Sequence, residues 1–162
     1  MAKNPDPSLA LATSAGVTRT VDDWSTMFRL CLLVLPGRSE AAAWIPVGRR
    51  IFATLGDADC KCAFVVAGSD EIARRLLGPV ERDVMTFVDP DLALVSSLGL
   101  ERLPALVFLR QDTSLVAAAE GWDPTEWQRV VRQVAKAMAW TVPIVQGTGD
   151  PAKTEGWPIV PA

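Results

Sequence analysis

The chain has 162 residues, 49% of them hydrophobic, and its 16 lysines and arginines are outnumbered by 19 acids to give a net charge of -3. That is enough apolar material for one full core, and an acidic balance without a basic tract argues against a general nucleic-acid binder. No apolar run reaches the roughly eighteen residues of a membrane-spanning helix, and the absence of histidine removes His-dependent triads, zinc-histidine sites and imidazole acid-base chemistry.

Residues 1–20 read as an N-terminal tail. Met1 to Pro7 carries two prolines, and the Leu9 to Ala12 patch is too short for the apolar region of a signal peptide, so the expected location is the cytoplasm. Phe28 to Leu35 is an almost continuous apolar run, the pattern of a central strand buried on both faces, and Pro36-Gly37 ends it. Cys31 lies inside that run and reads as a small, inert hydrophobe. A helix follows from Glu40, with Trp44, Ile45, Gly48, Ile51, Phe52 and Leu55 at helical spacing, a kink at Pro46 and a stop at Gly56. Ser39 is placed to cap it, and Glu40 favours its positive end.

Cys60-Lys61-Cys62 stands at the mouth of the next strand, Ala63 to Ala67, beside Asp57 and Asp59. In an extended chain these two cysteines share a face with alpha carbons roughly 6.6 Å apart, near the long limit for a disulfide; in a turn they come closer. Lys61 between them favours a thiolate. Four convergent ligands are not evident, so no metal is expected. Ser69 or Asp70 then caps a short helix that ends at Gly78-Pro79.

Val84 to Val88 is a strand ended by Asp89-Pro90, and a helix from Asp91 closes at Gly99. Leu103-Pro104 enters another strand, Ala105 to Leu109, a place where a cis peptide is useful although a minority outcome for X-Pro bonds. The polar turn Gln111 to Ser114 folds Leu115 to Ala119 back as a hairpin. Asp123-Pro124-Thr125-Glu126 opens the last helix, with the acid at the cap and Glu126 three residues on to reach the cap's amide. Its stripe of Trp127, Val130, Val131, Val134, Ala135 and Met138 faces the core. This order of elements predicts an α/β fold, a central mixed sheet flanked by helices on both faces, over residues 21–140. Residues 141–162 form a Pro- and Gly-rich arm, either flexible or docked through Trp157, Ile159 and Val160.

The order of elements from Val21 to Trp140, with Pro104 five residues after Gly99, resembles the thioredoxin-like superfamily. The strand and helix at Ala63 to Leu77 resemble the insertion of its redoxin and TlpA-like branch. That resemblance implies a cis Leu103-Pro104 bond facing an active site, and a Cys-x-x-Cys motif opening the helix after the central strand. Counting back from Pro46 puts the motif at Arg38-Ser39-Glu40-Ala41, where neither cysteine is present. Ser39 has no histidine to activate it and reads as structural.

A second similarity is to the thioredoxin-like accessory proteins of nickel-iron hydrogenase maturation, which also lack the motif. It rests on Asp22-Asp23-Trp24, on Leu103 to Phe108 and on Gly121-Trp122-Asp123-Pro124. Together the resemblances imply a redox-inactive domain that binds protein, as a chaperone or assembly factor for a metalloenzyme such as a hydrogenase, or as a subunit of a complex. Arg38, Ser39, Glu40, Trp44, Leu103, Pro104 and Trp157 are then expected to hold the partner or client polypeptide, although core packing is the plainer reading of Trp44. The competing expectation is a thiol-disulfide oxidoreductase or peroxidase working through Cys60 and Cys62. With neither a Gly-rich phosphate loop nor a dinucleotide fingerprint, no cofactor is expected.

Overall fold

Alternation of side chains along the two most apolar runs sets the layers of the molecule. A computed structural model describes residues 1–26 and 28–159. In chain order, β1 (Ala10–Thr13) and β2 (Thr18–Thr20) precede α1 (Val21–Ser25) and β3 (Arg29–Pro36). A 3-10 helix (Ser39–Trp44) leads into α2 (Ile45–Leu55), followed by β4 (Cys60–Ala67), α3 (Asp70–Leu77), α4 (Val80–Asp83) and β5 (Thr86–Val88). Then come α5 (Ala93–Ser97), β6 (Arg102–Leu103), β7 (Ala105–Leu109), β8 (Leu115–Glu120), α6 (Pro124–Met138) and β9 (Trp157–Pro158).

Seven strands form one mixed sheet in the order β2-β1-β5-β4-β3-β7-β8, with β3, β4 and β5 parallel. On one face Cys31, Leu33 and Leu35 of β3 join Cys60, Phe64 and Val66 of β4 beneath α2, α3 and α6. On the other, Leu30, Leu32 and Val34 join Ala63 and Val65 against α1 and α5. Burial on both faces is why β3 reads as a continuous apolar run. Helix α2 sits close to the sheet at Gly48, where a Cβ would come within 2.6 Å of the Phe64 ring.

Several local expectations are revised. Residues 10–20, expected as tail, supply the hairpin β1-β2, which extends the sheet through Ala12 opposite Val88. The polar edge strand Thr18–Thr20 carries no apolar alternation to announce it, but Leu11 is buried and its carbonyl accepts the Trp24 indole N–H at 2.9 Å. Pro46 does not kink a helix. The 3-10 segment stops at Trp44, and Pro46 falls in the first turn of α2, where its missing N–H has no partner to lose. Glu126 does not complete a capping box, because it pairs with Arg129 at 3.0 Å, while Asp123 caps α6 by accepting from the Thr125 amide.

The Leu103-Pro104 bond is cis, as the resemblance implied. The arm is docked. Arg50 binds the Asp150 carboxylate at 2.8 Å and the Val145 carbonyl at 2.7 Å, and the Trp122 indole donates to the Pro151 carbonyl at 2.8 Å. Strand β9 then pairs antiparallel with β6, Leu103 opposite Trp157. Gly156, at φ +76°, comes so near the Leu103 carbonyl that any side chain there would collide with it. Val160 lies outside the described residues.

Candidate functional site

The carboxyl end of β3 is where the sequence placed a motif without its cysteines. Arg38 precedes the 3-10 helix, and no side chain caps that helix. Ser39 is therefore not a cap; its hydroxyl reaches only the Glu40 carboxylate, at 3.5 Å, and Glu40 pairs with Arg38 at 3.1 Å. Trp44 is buried, edge-on to Trp157 at 5.6 Å and to Trp122 at 6.5 Å, and its indole N–H has no hydrogen-bond partner. The Arg38 guanidinium lies 4.6 Å over the Trp157 ring. Leu103 and Pro104 are buried. The structure thus brings Arg38, Trp44, Leu103 and Trp157 together, and what they enclose is the chain's own arm. None of the three cysteines stands at this end.

The thiols lie at the other end of the same strands. The parallel register sets Cys31 opposite Cys62 and Arg29 opposite Cys60. Strand β4 begins at Cys60 rather than at Ala63, so both of its cysteines point to the face that carries Cys31. Roughly 16 Å of strand separates this end from Pro36. Cys31 and Cys60 are buried and Cys62 is half-buried; all three are free thiols.

Their proximity pushes the three thiols apart in acidity. Cys62 is brought down to about 5, first by a hydrogen bond from Cys31 and then by one from Cys60, against the opposing effect of burial. Cys31 is pushed well up by donating to Cys60 and to Cys62 and by complete burial. On Cys60 the Cys31 contact acts downward but is outweighed by donation to Cys62, burial and the charge on Cys62, so Cys60 is also pushed up. Of the three, Cys62 is the most exposed and the one whose thiol is lowered, which favours thiolate there over its two neighbours.

Cys60 and Cys62 open into a cleft of about 520 Å³, within the range of small-molecule sites. Phe28, Phe52, Val84 and Met85 give it apolar walls, and Arg49 and Lys61 put positive charge at its edge. The Lys61 ammonium stands 5.6 Å from the Phe28 ring. Among the described residues no three potential ligands are arranged to hold a metal ion. Sequence reasoning paired Cys60 with Cys62 but set Cys31 aside. The missing signal was the β3-β4 register, which brings together cysteines 31 residues apart at the same level of adjacent strands.

No family model matches the chain, and no curated protein matches it. Solved structures match it over most of its length. A secreted disulfide oxidoreductase of Mycobacterium tuberculosis, homologous to Escherichia coli DsbE, is 13% identical with a TM-score of 0.60, covering 80% of this chain and 96% of its own. Peroxiredoxin Q of Xanthomonas campestris is 15% identical with a TM-score of 0.64, over 82% and 92%. An exposed lipoprotein thioredoxin of Streptococcus pneumoniae is 18% identical with a TM-score of 0.60, over 81% and 97%. The chain has a thioredoxin-like fold. These neighbours lend nothing to the hydrogenase-maturation resemblance. They also overturn the expectation of a redox-inactive chaperone: the neighbours are thiol redox proteins, and the cysteines here are gathered beside a cleft. No helix among the described residues is long and apolar enough to cross a membrane.

Proposed function

We propose that the protein is a thiol peroxidase in which Cys62 reduces a small organic hydroperoxide. The observation that carries this reading is the gathering of three free cysteines on one face of β3 and β4, two of them lining an apolar cleft, with Cys62 lowered by its neighbours. The Cys62 sulfur attacks the outer oxygen of the hydroperoxide, the O–O bond breaks, the alcohol departs after taking a proton, and a sulfenic acid remains on Cys62. A half-buried thiolate at a strand start admits a small substrate more readily than a disulfide carried on a folded polypeptide. Thiol redox activity in proteins of the same fold supports the choice of chemistry. A dithiol reductant must reset the enzyme, and we place the protein in the cytoplasm, where such reductants are abundant.

The test is consumption of cumene hydroperoxide with dithiothreitol as reductant. Turnover is expected from the native chain and from Ser39→Ala, and none above background from Cys62→Ser. Undiminished turnover by Cys62→Ser, or none by the native chain, would overturn the reading.

A further inference from the structure

A sulfenic acid on Cys62 needs a second thiol, and two share its face of the β3-β4 pair. Backbone geometry separates them. Adjacent strands run about 4.8 Å apart, so Cys31 and Cys62, direct partners across the β3-β4 pair, fall within the alpha-carbon spacing a disulfide accepts, about 4.4 to 6.8 Å. Cys60 and Cys62 are successive same-face residues of one strand, roughly 6.6 Å apart, at the limit of that spacing with their side chains projecting side by side. Cys31 and Cys60 are offset by two residues across the pair, roughly 8 Å, beyond reach without backbone movement.

Given Cys62 as the nucleophile, the reading on which this step rests, we infer that Cys31 is the resolving cysteine and that each turnover closes a cross-strand Cys31–Cys62 disulfide inside the sheet. The Cys31 sulfur attacks the Cys62 sulfur, forming the S–S bond and breaking the S–O bond. The departing hydroxide takes the Cys31 proton and leaves as water. Cys31 is oxidised with Cys62, and a dithiol reductant returns both to thiols by exchange at Cys62, which lines the cleft where Cys31 does not. Cys60 keeps a different part: it lies on the same face one pleat away, and its S–H donates to the Lys61 carbonyl at 3.9 Å. It helps hold the charge without joining the bond.

The experiment treats the full chain and its Cys31→Ser, Cys31→Ala and Cys60→Ser variants with one equivalent of cumene hydroperoxide, then maps thiols by peptide mass spectrometry with dimedone present. The native chain is expected to lose two hydrogens and yield a Cys31–Cys62 linked peptide. Cys60→Ser should retain that link. Both Cys31 variants should lose it and trap dimedone on Cys62; using two of them separates a missing sulfur from the effect of a hydroxyl in the core, with circular dichroism reporting the fold. A Cys60–Cys62 link, or persistent dimedone labelling of Cys62 in the native chain, would overturn the resolving role while leaving the peroxidase reading intact. Unmodified Cys62 in every variant would overturn both.

Discussion

The two ends of β3 and β4 are built for opposite purposes. At the carboxyl end, Trp44, Trp122 and Trp157 stack edge to face, and the arm adds β9 beside the cis Leu103-Pro104 bond. At the amino end the side chains are thiols, and a cleft reaches them. A helix start is one way to lower a thiol's pKa. Here the lowering of Cys62 comes instead from neighbouring sulfurs across a strand pair. Aromatic packing holds one end closed, and three sulfurs gather at the other.

If the division is real, each end can be damaged without the other. The largest separation is expected from Cys62→Ser, which should abolish hydroperoxide turnover while amide exchange at Trp157 and Leu103 stays as slow as in the native chain. Next is Trp157→Ala, which removes the ring lying against Trp44 and Arg38. It should cost about 2 kcal/mol in urea unfolding, less than a fully buried tryptophan because Trp157 is half-exposed, with turnover unchanged. A parallel loss of turnover would mean that the ends are coupled. Smaller again is Asp150→Asn, which weakens the Arg50 clamp on the arm and should cost about 1 kcal/mol in the same measurement. No effect there would place the arm's hold in the tryptophans alone.

Much of this was legible in the residues. The apolar run through Cys31 to Leu35, the stripe of α6 and the Asp89 stop carry strong local signals, and the order they imply is the fold observed. Asp89 also caps α5, its carboxylate accepting from the Leu94 and Val95 amides, beyond the helix start that its neighbour Pro90 suggested. Edge strands were hidden because Thr18-Arg19-Thr20 is polar on both faces. The arm was ambiguous because its anchors, Arg50 to Asp150 and Gln128 to the Pro143 carbonyl and Val145 amide, join residues far apart in sequence. For the same reason Cys31 was passed over. Its neighbours along the chain describe a core strand, and only the register against β4 shows that it faces Cys62.

Site-resolved alkylation by iodoacetamide from pH 4 to 10 tests the central claim most directly. A thiol whose folded value is lowered stays ionised until the pH falls through that value, so Cys62 should react with a midpoint near pH 5, while Cys31 and Cys60, both raised, stay unmodified through neutral pH. Cys31→Ala, which deletes the foremost donor, should move the Cys62 midpoint upward. A Cys62 midpoint in the ordinary thiol range of about 8 to 9, or modification of Cys60 ahead of Cys62, would contradict a thiolate held at the amino end of the sheet.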